Sequence, residues 1–278
     1  MDIDLLKTFL EVNRTRHFGR AADNLYLSQS AISARIRLLE ENIGAEVFTR
    51  DRNDIRLTPI GRKLLVHAES IVTAWNRARQ EVSLGTDIEK SLAIGGTPSM
   101  WDILLQDWLH RIYAQMTDLA LTAEVGSADD LLRKLLDGTL DLALTFEGPK
   151  MVQLKVKEIR SVPIIMVSSR KGINSEEALK ENYLLVNWGT SFLTTHAKHF
   201  KDYPVPRVQL GLGRMAHEFL LSVGGSAYLA EPMVKHDLQN KNLFKVANAP
   251  VIERSAFAVW YERSENQEII ESALALLA

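Results

Sequence analysis

The sequence has no cysteine among its 278 residues, and it has no long apolar run. Without cysteine, disulfide bonds and thiolate metal sites are excluded, which is consistent with a cytosolic protein. Nowhere do about 18 apolar residues follow one another, and residues 1–14 lack the basic segment and apolar core of a signal peptide. We therefore expect a cytoplasmic protein without a membrane partner.

An excess of either charge is also missing, because 33 lysines and arginines stand against 35 aspartates and glutamates, for a net charge of −2. The balance is uneven along the chain: residues 14–62 carry nine basic and six acidic side chains, whereas residues 91–278 carry 19 and 22. A basic N-terminal part is the expected footprint of a nucleic-acid partner, but so small an asymmetry supports it only weakly.

Motifs of the common enzyme classes are absent as well. The sequence contains no G-x-G-x-x-G, Walker A, G-x-S-x-G or H-E-x-x-H pattern. His196 and His199 have the spacing of metal ligands on one helix face, but an isolated pair is more simply explained as two solvated side chains. Gly224 and Gly225 before Ser226 indicate a tight turn rather than a nucleophilic serine. We predict a chain that is not an enzyme, with no catalytic residue, metal site or cofactor.

What the sequence does contain is a stretch, residues 20–39, with the pattern of two short helices joined by a tight turn. Ser28 is a good N-cap for the second helix, and Gly44 a good terminator. An apolar stripe at helical spacing should face inward, through Ile32, Ile36, Leu39 and Ile43. The opposite face carries residues that suit close approach to base edges in a DNA major groove: Gln29, Ser30, Ser33, Ala34 and Arg37. Taken alone, the pattern also fits an ordinary helical hairpin with a polar outer face.

A two-stranded wing is predicted next, because residues 47–50 and 55–57 flank a turn-rich centre at 51–54. Arg50, Arg52 and Arg56 would then face DNA phosphates or the neighbouring minor groove. The alternative is three solvated arginines on a surface hairpin.

A long helix is predicted from Pro59 to about Val82, with Thr58 as its N-cap. Its apolar residues repeat about every 3.5 positions, the period of a coiled-coil seam: Leu64, Ala68, Ile71, Trp75, Ala78 and Val82. Packing of this short seam on the body of the chain is the alternative to pairing with a second copy.

From Ser91 onward, short apolar strands alternate with helices. This alternation predicts parallel strands with right-handed crossovers. One β-α-β-α-β set covers about 92–145, and a second set runs through 162–261. A final helix at 265–277 is expected to pack back on the first set.

Three N-terminal segments also carry a family resemblance: residues 16–22 (RHFGRAA), 27–33 (LSQSAIS) and 36–40 (IRLLE). These segments resemble the winged helix-turn-helix of LysR-type transcriptional regulators. The resemblance implies double-stranded DNA as a partner. It also implies self-association, as a dimer through the long helix and, as is usual in the family, as a tetramer. Ala34 departs from the long polar residue common in the family, so base contacts there would pass to Arg35 or Arg37, or be lost.

The resemblance extends over essentially the whole chain and implies an α/β protein with an all-α-rich head. The winged helix-turn-helix would occupy residues 1–58, and a linker and dimerisation helix with a hinge 59–90. A two-lobed, periplasmic-binding-protein-like effector domain would occupy 91–278, with lobe I at about 91–161 plus 262–278 and lobe II at about 162–261.

A ligand site is expected beyond the carboxyl ends of the strands, where helix N-termini present free N–H groups. The resemblance implies a small-molecule effector in that cleft. The candidate residues are Thr97, Pro98, Ser99, Ser127, Phe146, Trp188, Thr190 and Ser191. The alternative is that the serines only cap their helices and that Trp188, like Trp101 and Trp108, belongs to the core. Glu231, near the cleft, argues against an anionic ligand.

Two functions follow from these expectations. The first is a sequence-specific, ligand-responsive transcription regulator that binds pseudo-palindromic operators as a dimer or tetramer. The second is a constitutive or nucleoid-associated DNA-binding repressor, whose C-terminal domain only oligomerises. In the second case the cleft would be filled by side chains such as Trp101, Phe146 or Trp188.

Overall fold

A computed structural model describes residues 2–51, 54–83, 90–201 and 203–277. The chain divides near residues 87 and 88 into two compact units. The finer boundaries expected at 58, 90 and 161 stay predictions. Within the described residues, no helix is both long and apolar enough to cross a membrane.

The N-terminal unit, here called the head, is three helices and a wing followed by a long helix. Ser28 caps the third helix by accepting the N–H of Ala31 at 3.2 Å, and Gly44 ends it with φ 76°, as predicted. The elements are α1 (Ile3–Thr15), α2 (Phe18–Leu25), α3 (Gln29–Ile43), β1 (Phe48–Asp51), β2 (Asp54–Leu57) and α4 (Pro59–Ser83).

The core of the head is built from the predicted stripe of α3. Ile32, Ile36 and Leu39 are fully buried, and Ile43 packs against them. They meet Phe9 of α1 and Phe48 of β1, whose rings lie 5.2 Å apart between centroids. Burying an aliphatic side chain of this size contributes about 1.5–3 kcal/mol, so this stripe fixes the face that α3 turns outward.

Helix α4 has its apolar stripe divided between two environments. Leu64 and Ala68 pack on the head core. Ile71, Trp75 and Val82 are instead exposed, the last at 87%. The outer part of the predicted seam therefore has no covering within the part of this chain that the structure describes.

The C-terminal unit alternates strands and helices, as expected, but its sheet is mixed and not parallel throughout, because the strands at 154–168, 244–245 and 252–261 pair antiparallel with their neighbours. Its strands are β3 (Lys90–Gly96), β4 (Leu119–Val125), β5 (Leu142–Thr145), β6 (Leu154–Ser168), β7 (Tyr183–Val186), β8 (Val208–Leu210), β9 (Ser226–Ala230), β10 (Phe244–Lys245) and β11 (Ile252–Tyr261). Its helices are α5 (Pro98–Met100), α6 (Gln106–Gln115), α7 (Ala128–Leu136), α8 (Ser175–Lys180), α9 (Thr190–His199), α10 (Gly213–Ser222), α11 (Glu231–Gln239) and α12 (Gln267–Ala275). A π-helical segment, Trp101–Leu105, joins α5 to α6.

Two long antiparallel strands, β6 and β11, run through both halves of this unit. The strands follow one another across the sheet in the order β4-β3-β5-β11-β6-β9-β7-β8, so β11 and β6 lie at its centre. Strand β10 pairs with β6 outside this order. We call β3–β5 with their helices lobe I, and β7–β10 with theirs lobe II. The sequence predicted that the second set begins at 162, which was wrong, because β6 begins at Leu154. Charged residues in 155–160 hid the first half of β6, where most side chains are exposed.

The final helix packs on lobe I, as predicted. The indole N–H of Trp108 donates to the carbonyl of Ala273 at 2.7 Å, and both residues are buried. Asn266, just before α12, donates to the Asp141 carboxylate at 3.1 Å. Trp108 is therefore a core residue whose polar atom is satisfied.

Candidate nucleic-acid interface and ligand cleft

The outer face of α3 presents the predicted base-reading residues together. Gln29, Ser30, Ala34 and Arg37 are exposed, and Ser33 is half-buried. These five residues line one open, concave patch of the head. The patch begins at the helix N-terminus, where small and polar side chains let a helix enter a groove deeply.

Arg35 points a different way from Arg37. One of its guanidinium nitrogens lies 3.9 Å from the Asp4 carboxylate, and another donates to Thr8 Oγ1 at 3.4 Å. Both partners belong to α1. Arg35 therefore fixes α3 against α1, and its place among the DNA-contacting residues stays a prediction.

The wing forms where predicted, with Thr49 opposite Arg56. The strands reach into the predicted turn, to Asp51 and Asp54. Arg56 is exposed. Arg52 and the side chain of Arg50 lie outside the described residues.

One residue of the head was missed by the sequence prediction. Tyr26, in the turn between α2 and α3, has φ 55° and is 95% exposed. A bulky residue in the left-handed region is uncommon, and here it leaves an exposed phenol beside the start of α3. The two-residue turn was visible in the sequence, but its conformation was not.

The carboxyl ends of three strands of lobe I meet at one edge, as expected. The N–H of Thr97, after β3, donates to Leu144 in β5 at 3.3 Å, and the N–H of Gly126, after β4, donates to Gly96 at 3.2 Å. The structure thus brings the loops at 97–99, 126–127 and 146 together. Thr97 begins its helix without a side-chain cap, and Pro98 beside it is exposed.

Some of the candidate cleft residues have structural roles that the sequence left open. Ser127 accepts the N–H of Asp130 at 3.1 Å and donates to its carboxylate, so it caps α7. Trp188 is buried and donates its indole N–H to Tyr228 at 2.8 Å, so it belongs to the core of lobe II. Thr190 and Ser191, at the start of α9, are exposed, and Ser99 is half-buried.

A residue that the sequence prediction missed joins the two lobes. Arg254 of β11 is only 4% exposed. Its guanidinium lies 5.1 Å from the centre of the Phe146 ring, and one nitrogen donates to the Phe146 carbonyl at 3.3 Å. On the lobe II side it abuts Gly189, the residue that precedes α9. A single arginine in a strand usually signals a solvated face, so nothing local revealed its burial.

Other charged groups near the cleft are paired. The Arg214 guanidinium of α10 lies 3.7 Å from Asp102 of the π-helical segment, another link between the lobes. The Glu231 carboxylate is 2.6 Å from the Lys245 ammonium, so its charge is largely balanced. Glu231 is therefore a weaker argument against an anionic ligand than its position in the sequence suggested.

A small apolar cavity of about 180 Å³ lies in lobe I, beside the edge where the carboxyl ends of its strands meet. Its apolar walls come from α7, β5 and β11, and Thr145 and Glu147 stand at one side. Ligand cavities for drug-sized molecules are usually larger, at about 300–1,000 Å³, so only a small molecule would fit.

The sequence indicated that both histidines of α9 are solvated, but only one of them is. His199 is exposed, but His196 is 1% exposed and its Nε2 lies 2.7 Å from the Tyr183 hydroxyl. Burial lowers the pKa of His196 to about 4, and the nearby His199 contributes to the shift. Among the described residues, no group of three or more acidic or histidine side chains is placed to bind a metal ion.

Comparison with protein-family models matches both units. Residues 3–62 match the bacterial regulatory helix-turn-helix protein, lysR family, and residues 86–278 match the LysR substrate binding domain. The chain belongs to the LysR family. This family consists of DNA-binding transcriptional regulators, and the resemblance of the N-terminal segments is thereby confirmed.

Relatives within the LysR family agree along the whole length. The HTH-type transcriptional regulator HdfR of Yersinia enterocolitica is 37% identical over 283 residues, which cover 99% of this chain and 95% of the relative. HdfR of Yersinia pestis is also 37% identical over the same share. The amino-acid sequence of residues 14–18 by itself resembles that of HdfR, and these alignments confirm the resemblance.

Solved structures of LysR-family proteins share the fold. Full-length CbnR in complex with its target DNA gives a TM-score of 0.77 at 16% identity and covers all of both chains. DarR of Vibrio fischeri in complex with DNA gives 0.61 at 19% identity, over 100% of this chain and 99% of that one. The predicted fold class, a winged helix-turn-helix with a long linker helix and a two-lobed α/β domain, is confirmed.

Proposed function

We propose that this LysR-family protein reads a pseudo-palindromic operator as a dimer, with α3 of each head in a major groove. The single observation that carries the proposal is the outer face of α3, where Gln29, Ser30, Ser33, Ala34 and Arg37 share one open patch above a fully buried stripe. A rigid helix with polar, short side chains at its start is what direct readout of base edges requires.

The arginines divide into three roles in this proposal. Arg37 contacts a base edge, because it is exposed on the patch. Arg50, Arg52 and Arg56 of the wing contact phosphates. Arg35 sets the orientation of α3 through α1 and contributes to DNA binding mainly in that way.

The dimer forms through α4. Ile71, Trp75 and Val82 are exposed at the spacing of a coiled-coil seam, and nothing in the described chain covers them. A second copy of the same helix would cover them and would place two heads on two half-sites. Further association into a tetramer is part of the proposal.

A small molecule in the cleft between the lobes regulates the dimer. The site is formed by Thr97, Pro98, Ser99, Ser127, Phe146, Trp188, Thr190 and Ser191, with Ser127 and Trp188 supporting it through the bonds described above. A ligand that binds one arrangement of the lobes better than another shifts the population of assemblies on DNA.

The relatives support this proposal. HdfR is described as a transcriptional regulator, and CbnR and DarR have been solved with DNA. We assign the chain no catalytic function, cofactor or membrane partner, and we place it in the cytoplasm with the chromosome it regulates.

Selection from a random duplex pool tests the function and identifies the operator in the same experiment. The purified full-length chain should enrich two inverted half-sites, centred about 10–10.5 base pairs apart or a multiple of that spacing. Failure to retard any duplex at low salt would refute DNA binding altogether. Enrichment of a single half-site would refute the dimer arrangement.

A second candidate is a constitutive DNA-binding repressor or nucleoid-associated protein without an effector. One observation favours it: the Arg254 side chain contacts both Phe146 and the start of α9. The two lobes are therefore linked at the cleft by a side chain of the protein itself, without a ligand. In that case footprints on the selected operator would stay the same with every metabolite tested.

A further inference from the structure

The side chain of Tyr26 lies free of the rest of the head. It is 95% exposed, and among the residues that the structure describes its hydroxyl has no hydrogen-bond partner and its ring no aromatic neighbour. The next residue, Leu27, packs against the head core. An aromatic side chain stabilises a fold mainly through the area that it buries, so Tyr26 contributes almost nothing to the folded head.

The backbone at Tyr26 favours a different residue. Tyr26 ends α2 in the left-handed region, with φ 55° and ψ 43°, and its N–H donates to the carbonyl of Asp23 at 3.3 Å. Glycine, or else asparagine, usually occupies this position of a helix end, because other side chains are strained there. The sequence therefore has a tyrosine where it costs stability and makes no side-chain contact within the described chain. Such a cost at an exposed position indicates a role outside the chain.

The residues that follow Tyr26 belong to the outer patch of α3. Gln29 and Ser30 line that patch, and Ser28 Oγ lies 2.9 Å from Ser30 Oγ. Gln29 is also close to α2, because a Cβ on Gly19 would lie 3.8 Å from its Oε1. When the second helix of this motif lies in a major groove, the first helix crosses the sugar–phosphate backbone. A residue in the turn between α2 and α3 therefore lies at the edge of the groove.

We propose that the Tyr26 hydroxyl donates a hydrogen bond to a phosphate oxygen of the DNA backbone, at the edge of the groove that α3 enters. The inference rests on the proposed function and adds a contact to it from outside α3. Tyrosine is one of the side chains that contact phosphates without reading the base sequence. Unlike the arginines of the wing it is neutral, so it displaces no counterion from the DNA. The contact fixes the position of the head and does not share the salt dependence of a charged contact.

The test uses the full-length chain, the selected operator and a random duplex. Affinity for both duplexes is measured by retardation over a range of salt concentrations for the wild type, Tyr26→Phe and Tyr26→Asn. The first substitution removes only the hydroxyl, and the second removes the ring and supplies a residue that suits φ 55°. The matched control is Tyr113→Phe, which removes the hydroxyl of a 78% exposed tyrosine in α6. Hydrogen exchange of head peptides is followed in the same proteins.

Tyr26→Phe should weaken binding to operator and random duplex alike by about tenfold, as for the loss of one hydrogen bond to a charged group. The slope of log affinity against log salt should stay as in the wild type, because no charge is lost. Tyr26→Asn should bind DNA as weakly as Tyr26→Phe or more weakly. Its head peptides should nevertheless exchange no faster than those of the wild type, since the backbone strain is relieved. Tyr113→Phe should match the wild type in both measurements.

Unchanged affinity in Tyr26→Phe would overturn the inference, and so would a loss confined to the operator or an equal loss in Tyr113→Phe. Faster exchange of the head in Tyr26→Asn would also overturn it, because the ring would then support the fold. If the wild type retards DNA and Tyr26→Phe does so equally well, only this inference falls. If the wild type retards no duplex at low salt, the proposed function falls with it.

Discussion

The guanidinium of Arg35 in α3 lies 3.9 Å from the carboxylate of Asp4 in α1. Arg37, two residues further along the same helix, is exposed on the outer patch. Two arginines that look equivalent in the sequence therefore face different partners, because successive side chains of a helix point about 100° apart. This difference decides which of them can report on base sequence.

Arg37→Ala should reduce discrimination between the selected operator and random duplex by about 1–3 kcal/mol, the usual size of a lost base contact. Binding to random duplex should change little. Competition titrations with both duplexes at one salt concentration would measure the difference.

Arg35→Ala is the matched control for Arg37, since it removes the same side chain from the same helix. Its pair with Asp4 is partly exposed, with a worth of about 0–1 kcal/mol, so the head should stay folded. Because Arg35 acts on DNA binding only through the orientation of α3, its loss should reduce discrimination less than the loss of Arg37 does. Equal losses of discrimination from the two substitutions would contradict the roles assigned here.

Arg52→Ala should weaken binding to operator and random duplex alike, because a phosphate contact carries no sequence information. The slope of log affinity against log salt should fall by about one. Retardation assays over a range of salt concentrations give this slope. A loss confined to the operator would mean that Arg52 reads a base.

Gly61→Ala should destabilise the head by about 1–3 kcal/mol or more through overpacking. A Cβ at Gly61 would lie 2.1 Å from the Val47 carbonyl oxygen, which is itself held by the N–H of Thr58 at 3.0 Å. In an uncrowded helix a Gly→Ala change instead raises the free energy of unfolding by about 1 kcal/mol. The sign of the measured change therefore shows whether the Val47 carbonyl crowds this position. Hydrogen exchange of head peptides in the full-length chain measures it, with exposed Lys63→Ala as control.

The head could be predicted almost completely from the sequence because its signals are local. Ser28 and Gly44 mark the ends of α3 by their own chemistry, and Ile32 and Ile36 share a face by helical spacing alone. The direction of Arg35 could not be predicted, since it depends on where α1 packs. Side-chain direction at a half-buried position is a tertiary property.

The cleft could be predicted only in outline. The strand ends before Thr97 and Gly126 were visible as strand-to-helix turns, and the structure brings them together. The burial of Arg254 and of His196 was not predicted, because each is surrounded in space by residues distant in the chain, such as Phe146 for Arg254 and Tyr183 for His196. A polar residue gives no local sign that the fold will bury it.

Trp75→Glu should shift the chain from dimer to monomer. Trp75 is 47% exposed at the centre of the α4 seam, and a carboxylate there would be buried in the seam when a second copy covers it. Truncation of a central aromatic anchor typically costs about 2 kcal/mol or more of association. Sedimentation equilibrium measures the change, and Asn76→Glu, exposed and one position off the seam, should remain dimeric. A wild type that is monomeric at micromolar concentration would contradict the proposed dimer.

His196 should make the stability of the C-terminal unit depend on pH. Its side chain lies among Tyr183, Phe192, Phe200 and Tyr228, and this burial lowers its pKa to about 4, against about 6.5 in an unfolded chain. Between these values the unfolded state binds more protons, so the free energy of unfolding is fully retained above pH ~6.5 and falls as the pH drops toward 4.

The expected loss over this window is about 1.4 kcal/mol per unit of pKa difference, or roughly 3 kcal/mol in all. Urea unfolding of the full-length chain at pH 7 and at pH 4.5 would measure it. In His196→Gln, which keeps a polar partner for the Tyr183 hydroxyl but cannot titrate, the loss should be smaller by most of that amount, because pH 4.5 lies just above the folded-state pKa. His199→Gln removes the exposed histidine of the same helix and should keep most of the wild-type dependence. If His196→Gln and the wild type lose the same amount of stability, His196 is not the group that couples folding to pH. The aromatic cluster around His196 would then be open enough in solution to accept the protonated ring.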